Sequence, residues 1–584
     1  MMHGPEKSDP SIVAMKPANK PGQPGAESVE PREGTEGNTG EPRTRRTPSR
    51  ESVTQGLDRV RQAAKARKKE RFTALLHHVS ADLLKAAYSW LKRDAAPGVD
   101  QITWQEYGQN LEAGIVDLHA RLHRGAYRAL PSRRRYIAKP DGRQRPLGIA
   151  ALEDKIVQRA LVEVLNAIYE GDFLGFSYGF RPGRGQHDAL DALATGITCT
   201  PVNWIVDADV AGFFDAVSHH WLVRFLEHRI GDPRVIRLIG KWLKAGVLED
   251  GKLVATETGT PQGAVISPLL ANIYLHYVFD LWAQRWREHH ARGQVIIVRY
   301  ADDIVVGFEH EAEARSFLVD LRARMEKFAL SLHPDKTRLI EFGRGAAQSR
   351  ARRGLGKPET FNFLGFTHIC GCSRRGAFQL KRKSRRDRMR AKLREIKEVL
   401  RRHMHDPIPQ QGRWLGQVVR GYFNYHAVPT NIRSLAAFRY HVVQLWRRTL
   451  QRRSQRDRTP WERVSRLAAD FLPPLASFIL GRPRALPSHT PGGSPVRESR
   501  TPGSVRGVPG DGHPYRDTTV SRFIEKSCIH NVSTGHGRPR NAALCQIRAA
   551  RMASLKCGRY ADRGRRGSFG PPLGLLYFRL SRTF

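Results

Sequence analysis

Cysteine is scarce in this 584-residue chain: Cys199, Cys370, Cys372, Cys528, Cys545 and Cys557 are its six, and no two form a Cys-x-x-Cys pair. Their spacing shows no disulfide framework, and a reducing cytoplasm is the expected compartment. Also missing is any run of about 18 apolar residues, the length needed to span a bilayer. The opening Met-Met-His-Gly-Pro-Glu-Lys has no apolar core of the signal-peptide kind. Negative charge is in short supply as well. Against 98 Lys and Arg stand 56 Asp and Glu, a formal net charge of +42, so a polyanion is the first partner to expect. Nucleic acid fits this better than a membrane surface. With 40% hydrophobic residues the chain can still build the cores of two or three domains.

One stretch organises the rest. Val295 to Phe308 reads Val-Ile-Ile-Val-Arg-Tyr-Ala-Asp-Asp-Ile-Val-Val-Gly-Phe, two β-branched runs with an acidic break, which predicts a β-hairpin turning at Ala301-Asp302-Asp303. Adjacent carboxylates at a hairpin tip repel one another unless a divalent cation lies between them. Two Mg²⁺ ions about 3.5–4 Å apart are the known device for in-line phosphoryl transfer. The plainer alternative is a polar turn on a buried hairpin. A third carboxylate is available in Trp204-Ile-Val-Asp-Ala-Asp-Val-Ala-Gly-Phe-Phe-Asp215, where Asp209 is the choice and Asp207, on the same strand face, its rival. Between the two stretches, Thr258-Gly-Thr-Pro-Gln-Gly-Ala264 is a glycine-marked loop whose backbone at Gln262 and Gly263 can approach a flat base closely.

Tyr300-Ala-Asp-Asp303, preceded in order by Asp209 and by Pro261-Gln-Gly-Ala264, resembles the palm of a reverse transcriptase of the group II intron family. The resemblance runs from about Thr54 to Ile479. It implies an α+β right-hand polymerase with fingers and palm, followed by a helical thumb and maturase domain, with flexible termini. The expected division is a disordered extension over 1–53, fingers and palm over 54–370, thumb and RNA-binding maturase domain over 371–480, and a basic low-complexity tail over 481–584. The implied reaction is attack of a primer 3′-hydroxyl on a deoxynucleoside triphosphate paired to an RNA template. Asp209 and Asp302 would hold two Mg²⁺ ions, with Asp303 supporting the site.

Other blocks take their roles from the same family. Arg133 to Ile149 reads as a cationic hairpin around Pro-Asp-Gly, offering Lys139 and Arg145 to the triphosphate, or to RNA backbone in general. Phe176 to His187 resembles a conserved block whose Arg181 and Arg184 touch template phosphates or else serve packing. Lys336, in Leu-His-Pro-Asp-Lys-Thr337, is expected near the incoming nucleotide; without the family it is one more surface lysine. An aromatic ring after Asp209, Phe214 more than Phe213, is expected under the sugar to exclude a 2′-hydroxyl, against the alternative that both rings are palm core. Phe361 to Phe366 looks like the strand pair that grips the primer end.

Near the N-terminal side, Leu57, Val60, Phe72, Leu75, Leu76 and Val79 predict a basic amphipathic helix. From Lys381 to Ala468 there are 24 Lys or Arg against 6 Asp or Glu on helical patterns, with Trp414 to Tyr425 interleaving aromatics that serve as core or as base-stacking platforms. Past Gly481 the 12 Gly or Pro in thirty residues and the scattered Cys528, Cys545 and Cys557 predict a tail with no nuclease fold.

The expected function is therefore an RNA-directed DNA polymerase that binds its group II intron RNA, assists splicing and supports mobility, working on RNA template, DNA primer and deoxynucleoside triphosphates without a membrane. The alternatives are a splicing maturase with no active polymerase, or another retroelement or defence-associated reverse transcriptase, against which Trp414 to Tyr425 argues. Whether the chain forms a homodimer stays open.

Overall fold

The computed structural model describes residues 48–475 and 478, except 139–143, 250, 256 and 455–458, with side chains from Gln55 onward. The tail over 481–584, residues 1–47 of the expected extension, and Lys139 lie outside the described residues.

β1 (Ser132–Ala138) and β2 (Gln144–Ile149) pair antiparallel, as the cationic hairpin predicts. β3 (Trp204–Asp209) follows, then the short β4 (Val247–Glu249) and β5 (Lys252–Val254). β6 (Val295–Tyr300) and β7 (Asp303–Phe308) form the expected acidic-tipped hairpin. β8 (Arg338–Glu341), β9 (Phe361–Phe363), β10 (Phe366–Cys372) and β11 (Phe378–Ser384) complete the series. Among the described residues these make three sheets, ordered β2-β1-β4-β5, β6-β7-β3-β8 and β11-β10-β9.

The second of these is the palm, antiparallel throughout. Side chains alternate between its faces, so Val206, Ala208, Ile304 and Val306 enter one hydrophobic core while Ile205, Val298 and Val305 enter another. Both faces are covered, which is why β6 and β7 are apolar almost end to end. The first core also takes the helix Leu152–Tyr169, buried nearly all round, and a rod made of Ser267–Leu275, a π-helical turn His276–Asp280, and Leu281–His289.

Four long helices, Arg386–Arg402, Ile408–His426, Ile432–Gln451 and Trp461–Phe471, close a third core around Leu415, Phe423, Phe438 and Trp446. Tyr422 and Phe423 are buried there and Trp414 is half-buried, so the aromatics between Trp414 and Tyr425 are mainly core. The helix that carries Leu57 and Val60 runs Pro48–Ala66, starting inside the expected 1–53 extension. It does not continue to Val79: Phe72 makes a β-bridge with Ile230, and the Asp232 carboxylate takes the N–H groups of Leu75 and Leu76 at 2.9 and 3.0 Å. The 370/371 boundary falls within β10, and the helical part begins at Arg386. No described helix is long and apolar enough to cross a membrane.

Candidate active site

Two carboxylates meet across neighbouring palm strands. Asp209, the last residue of β3, stands directly opposite Asp303, the first of β7, and both are largely buried. Opposed residues have Cβ atoms about 4.5–5.5 Å apart, where like charges destabilise unless a cation stands by. Lys336 is that cation, its Nζ 3.3 Å from Asp209 Oδ2. It is held there because the segment before β8 is fastened to Asp209 itself. The His333 N–H donates to the Asp209 carbonyl at 2.8 Å, and the Asp209 N–H donates to Thr337 Oγ1 at 3.3 Å. Asp207 lies on the same face but fully inside, opposite Arg338 in the register and 3.9 Å from its Nη2. Asp209 is left at the end of the strand.

Asp302 is half-buried on the two-residue turn between β6 and β7. The other turn residue, Ala301, has φ +56°, a left-handed conformation that a residue with a Cβ holds only where its surroundings impose it. They do so through Arg299, a fully buried arginine whose side chain makes five hydrogen bonds. Nη1 donates to the Ala301 carbonyl and to Asn272 Oδ1, each at 3.0 Å; Nε and Nη2 clasp the Asp280 carboxylate at 2.6 Å; and Nη2 also reaches Ser177 Oγ at 2.7 Å. Burial alone would raise the Asp280 pKa, but the Arg299 guanidinium and His276 outweigh it and hold it below the usual carboxylate range. Asp280 ends the π-helical turn, a local widening of the helix of the kind that recurs at functional sites. Gly179 closes the other side: a Cβ there would collide with the Ala301 backbone, and its carbonyl accepts from Asn272 Nδ2 at 2.6 Å.

The glycine-marked loop docks between fingers and palm. The Gly148 N–H of β2 donates to the Gln262 carbonyl at 2.7 Å, and the Thr260 N–H donates to the Phe214 carbonyl at 2.7 Å. Gly263 is exposed with φ +107°, and a Cβ on it would press to 3.0 Å from the Gly148 carbonyl oxygen. This position therefore needs glycine for fingers packing, whatever ligand comes near. Buried Gln158 accepts the Val265 N–H at 3.0 Å and so steadies the far end of the loop.

Other expectations fare unequally. Arg145 is half-buried on β2, opposite Ile137. Arg181 is not available to a template: its buried guanidinium clasps Glu170 at 2.6–3.0 Å and donates to the Leu174 and Ser177 carbonyls. Arg184 likewise donates to the Gly175 carbonyl at 2.6 Å. Phe213 and Phe214 do not alternate on a strand. Gly212, at φ +52°, ends the strand geometry and starts the one-turn helix Phe213–Ala216, and both rings are buried. Sequence reasoning missed Arg299, Asp280, Asn272, Ser177 and Thr337. The signal for Arg299 was present: one arginine inside an otherwise apolar strand must find a buried acid.

All the candidate donors are carboxylate oxygens, the set Mg²⁺ takes. Among the described residues no three acidic, histidine or cysteine side chains are yet grouped closely enough to hold an ion, and the Lys336 ammonium stands in as counter-cation at Asp209. In kind, these donors suit a divalent ion, while their placement among the described residues is not that of a three-ligand site.

Residues 137–368 match the family described as "Reverse transcriptase (RNA-dependent DNA polymerase)". The chain is 35% identical over 297 residues to the protein YkfC of Escherichia coli (strain K12), covering 44% of this chain and 77% of that one. It is 36% identical over 222 residues to the group II intron-encoded protein LtrA of Lactococcus lactis subsp. cremoris, covering 38% of this chain and 37% of that one. With an uncharacterized 91 kDa protein in the cob intron of Schizosaccharomyces pombe it shares 29% identity over 377 residues, 54% of this chain and 45% of that one. The matches thus span less than half the length of the last two. The motif order, the opposed carboxylates of the palm and these likenesses agree: the chain belongs to the reverse transcriptase family of group II intron-encoded proteins.

Proposed function

We propose that this chain is an RNA-directed DNA polymerase that extends a DNA primer on an RNA template, and that it also binds its own group II intron RNA to assist splicing and support mobility. The observation that carries the polymerase reading is the opposition of Asp209 and Asp303 beside the Asp302 turn, with Lys336 ion-paired to Asp209. Reverse transcriptases as a class use divalent metal ions. Asp209 and Asp302, supported by Asp303, would hold two Mg²⁺, which when bound supply Lewis-acid polarisation of the phosphate oxygens. Lys336 and Arg145 set positive charge toward the triphosphate, as does Lys139 by its place in the sequence. Gln262 and Gly263 present backbone to the paired base. Phe213 meets Tyr274 edge-on at 6.5 Å, and Phe214, though part of the same core, is the ring we take as the candidate beneath the sugar.

The RNA-binding reading rests on the helix Arg386–Arg402. Arg386, Arg390, Arg394, Lys397 and Arg401 are all exposed and recur every three or four residues, making one cationic stripe while Ile396 and Leu400 face the core.

Asp302→Ala should lower cDNA synthesis on a primed RNA template about 10³-fold or more, since several kcal/mol of charge stabilisation is lost. Filter binding of the same RNA should stay within about twofold, because the basic surfaces are untouched. Full extension by the variant would sink the carboxylate assignment.

A further inference from the structure

Among the described residues only three Phe, Tyr or Trp side chains are exposed: Tyr136 in the fingers, and Tyr440 and Trp461 in the helical domain. The last two are neighbours. Their rings lie within 13° of parallel with centroids 6.2 Å apart, and they are 54% and 38% exposed. Tyr440 is not core that happens to show an edge. At 100° per residue Tyr440 points about 160–200° away from both Phe438 and Val442, which are buried on the other side of the same helix. Trp461 opens the next helix behind Pro460, on the same side as buried Val464 and Ala468 but one turn before them, at the end of the helix where water still reaches the ring.

Both rings are braced. Gln444 Nε2 donates to Tyr440 Oη at 2.7 Å, and the Arg447 guanidinium lies over the Trp461 ring, 4.8 Å from its centroid, while its Nε donates to the Thr459 carbonyl at 3.3 Å. Arg448 and Arg463, on the same two helices, are exposed as well. Rigid, water-facing aromatic faces beside arginines are what an unpaired nucleobase stacks on, the ring taking the π-face and the cations the adjoining phosphates. The 24 Lys or Arg against 6 Asp or Glu over 381–468 favour a polyanionic occupant over a protein one.

We propose that Tyr440 and Trp461, braced by Arg447, form a stacking site for an unpaired base of bound RNA, outside the polymerase cleft. The proposal rests on the RNA-binding reading above and names where, and by which chemistry, a single-stranded segment is held.

The test uses the full chain and a twelve-nucleotide oligouridine carrying 5-iodouridine, photocrosslinked and mapped by mass spectrometry. A crosslink at Tyr440 or Trp461 is expected. The pair Y440L/W461L keeps apolar bulk but no π-face, and should weaken oligouridine binding about tenfold, as one lost base stack implies. The pair Y440F/W461F should bind as wild type does. Binding of an abasic oligophosphate of the same length should be equal in all three proteins. Wild-type affinity in the leucine pair, or crosslinks only at other residues, overturns the stacking site, including the case in which the rings serve a protein partner. If the wild-type chain binds neither oligomer, it is the RNA-binding reading itself that fails, a result distinct from loss of base preference.

Discussion

The palm hides its charges and the helical domain displays them. In the palm, Arg299 and Asp280 are both sealed from water, every donor of the guanidinium is used, and the geometry of one two-residue turn follows. In the helix Arg386–Arg402 the cations stand in a row with their heads in solvent, and only aliphatic residues between them pack inward. Even there the distinction holds residue by residue. Arg382 is buried against Asp191 at 2.8 Å and so ties β11 to the helix Gln186–Cys199, while buried Arg385 pairs at 2.7 Å with Asp387 two residues on; neither serves the surface. A buried pair fixes a position, whereas an exposed row keeps a field available to a polyanion.

The comparison breaks most sharply at Arg299. Arg299→Met leaves the Asp280 carboxylate buried with only His276 beside it, which should cost about 3–5 kcal/mol of stability in denaturant unfolding. The double variant R299M/D280L should recover much of that stability, yet primer extension should stay low, because the Ala301 carbonyl has lost its donor. A double variant that extends primers normally would show the pair to be packing alone. Next in size is the exposed row. Neutralising Arg386, Arg390 and Arg394 to Gln should lower intron-RNA affinity about a hundredfold and reduce the slope of log affinity against log salt by about three. The unfolding transition should not move, and a slope unchanged from wild type would remove this face from the RNA interface.

Smaller still is an effect of pH on the helical domain. Burial drives the His426 imidazole down to about 3 from its ordinary 6.5. It is therefore neutral in the fold but protonated in the unfolded chain between those values, and the unfolded chain takes up the extra proton. Stability from this residue is complete above pH 6.5 and falls as pH drops, by at most about 1.4 kcal/mol per unit. His426→Gln should flatten that dependence in urea melts, and an unchanged slope would assign it to other groups. Smallest of all, truncation after Leu480 should leave reverse transcription, splicing and DNA-target cleavage as they were, since the tail carries no Cys-x-x-Cys spacing. Metal-dependent cleavage that vanishes on truncation would overturn this.

The acidic hairpin, the Asp209 strand, the cationic fingers hairpin and the helical domain were legible because each is written locally, in period two, period 3.6 or turn residues. What was not legible is long-range. Nothing in Lys336 distinguishes it from other surface lysines until His333 and Thr337 close on Asp209, more than a hundred residues away. For Arg181 and Arg184 the resemblance left template contact and packing both open; their carbonyl partners come from a tight local fold that composition does not announce. Strand parity could not choose between Phe213 and Phe214, because Gly212 breaks the strand and starts a helical turn there.

The fastening of His333 and Thr337 to Asp209 also says where this enzyme tolerates a handle. Any residue added between 333 and 337 slides Lys336 off its carboxylate, so a label or affinity tag there should be the worst placed in the palm. Twenty residues on, Gly354 to Lys357 run exposed between Arg353 and the return to β9, where a lengthened loop adds little entropy cost and touches no strand of the palm. A reporter dye inserted at that point would ride beside the working polymerase without entering it.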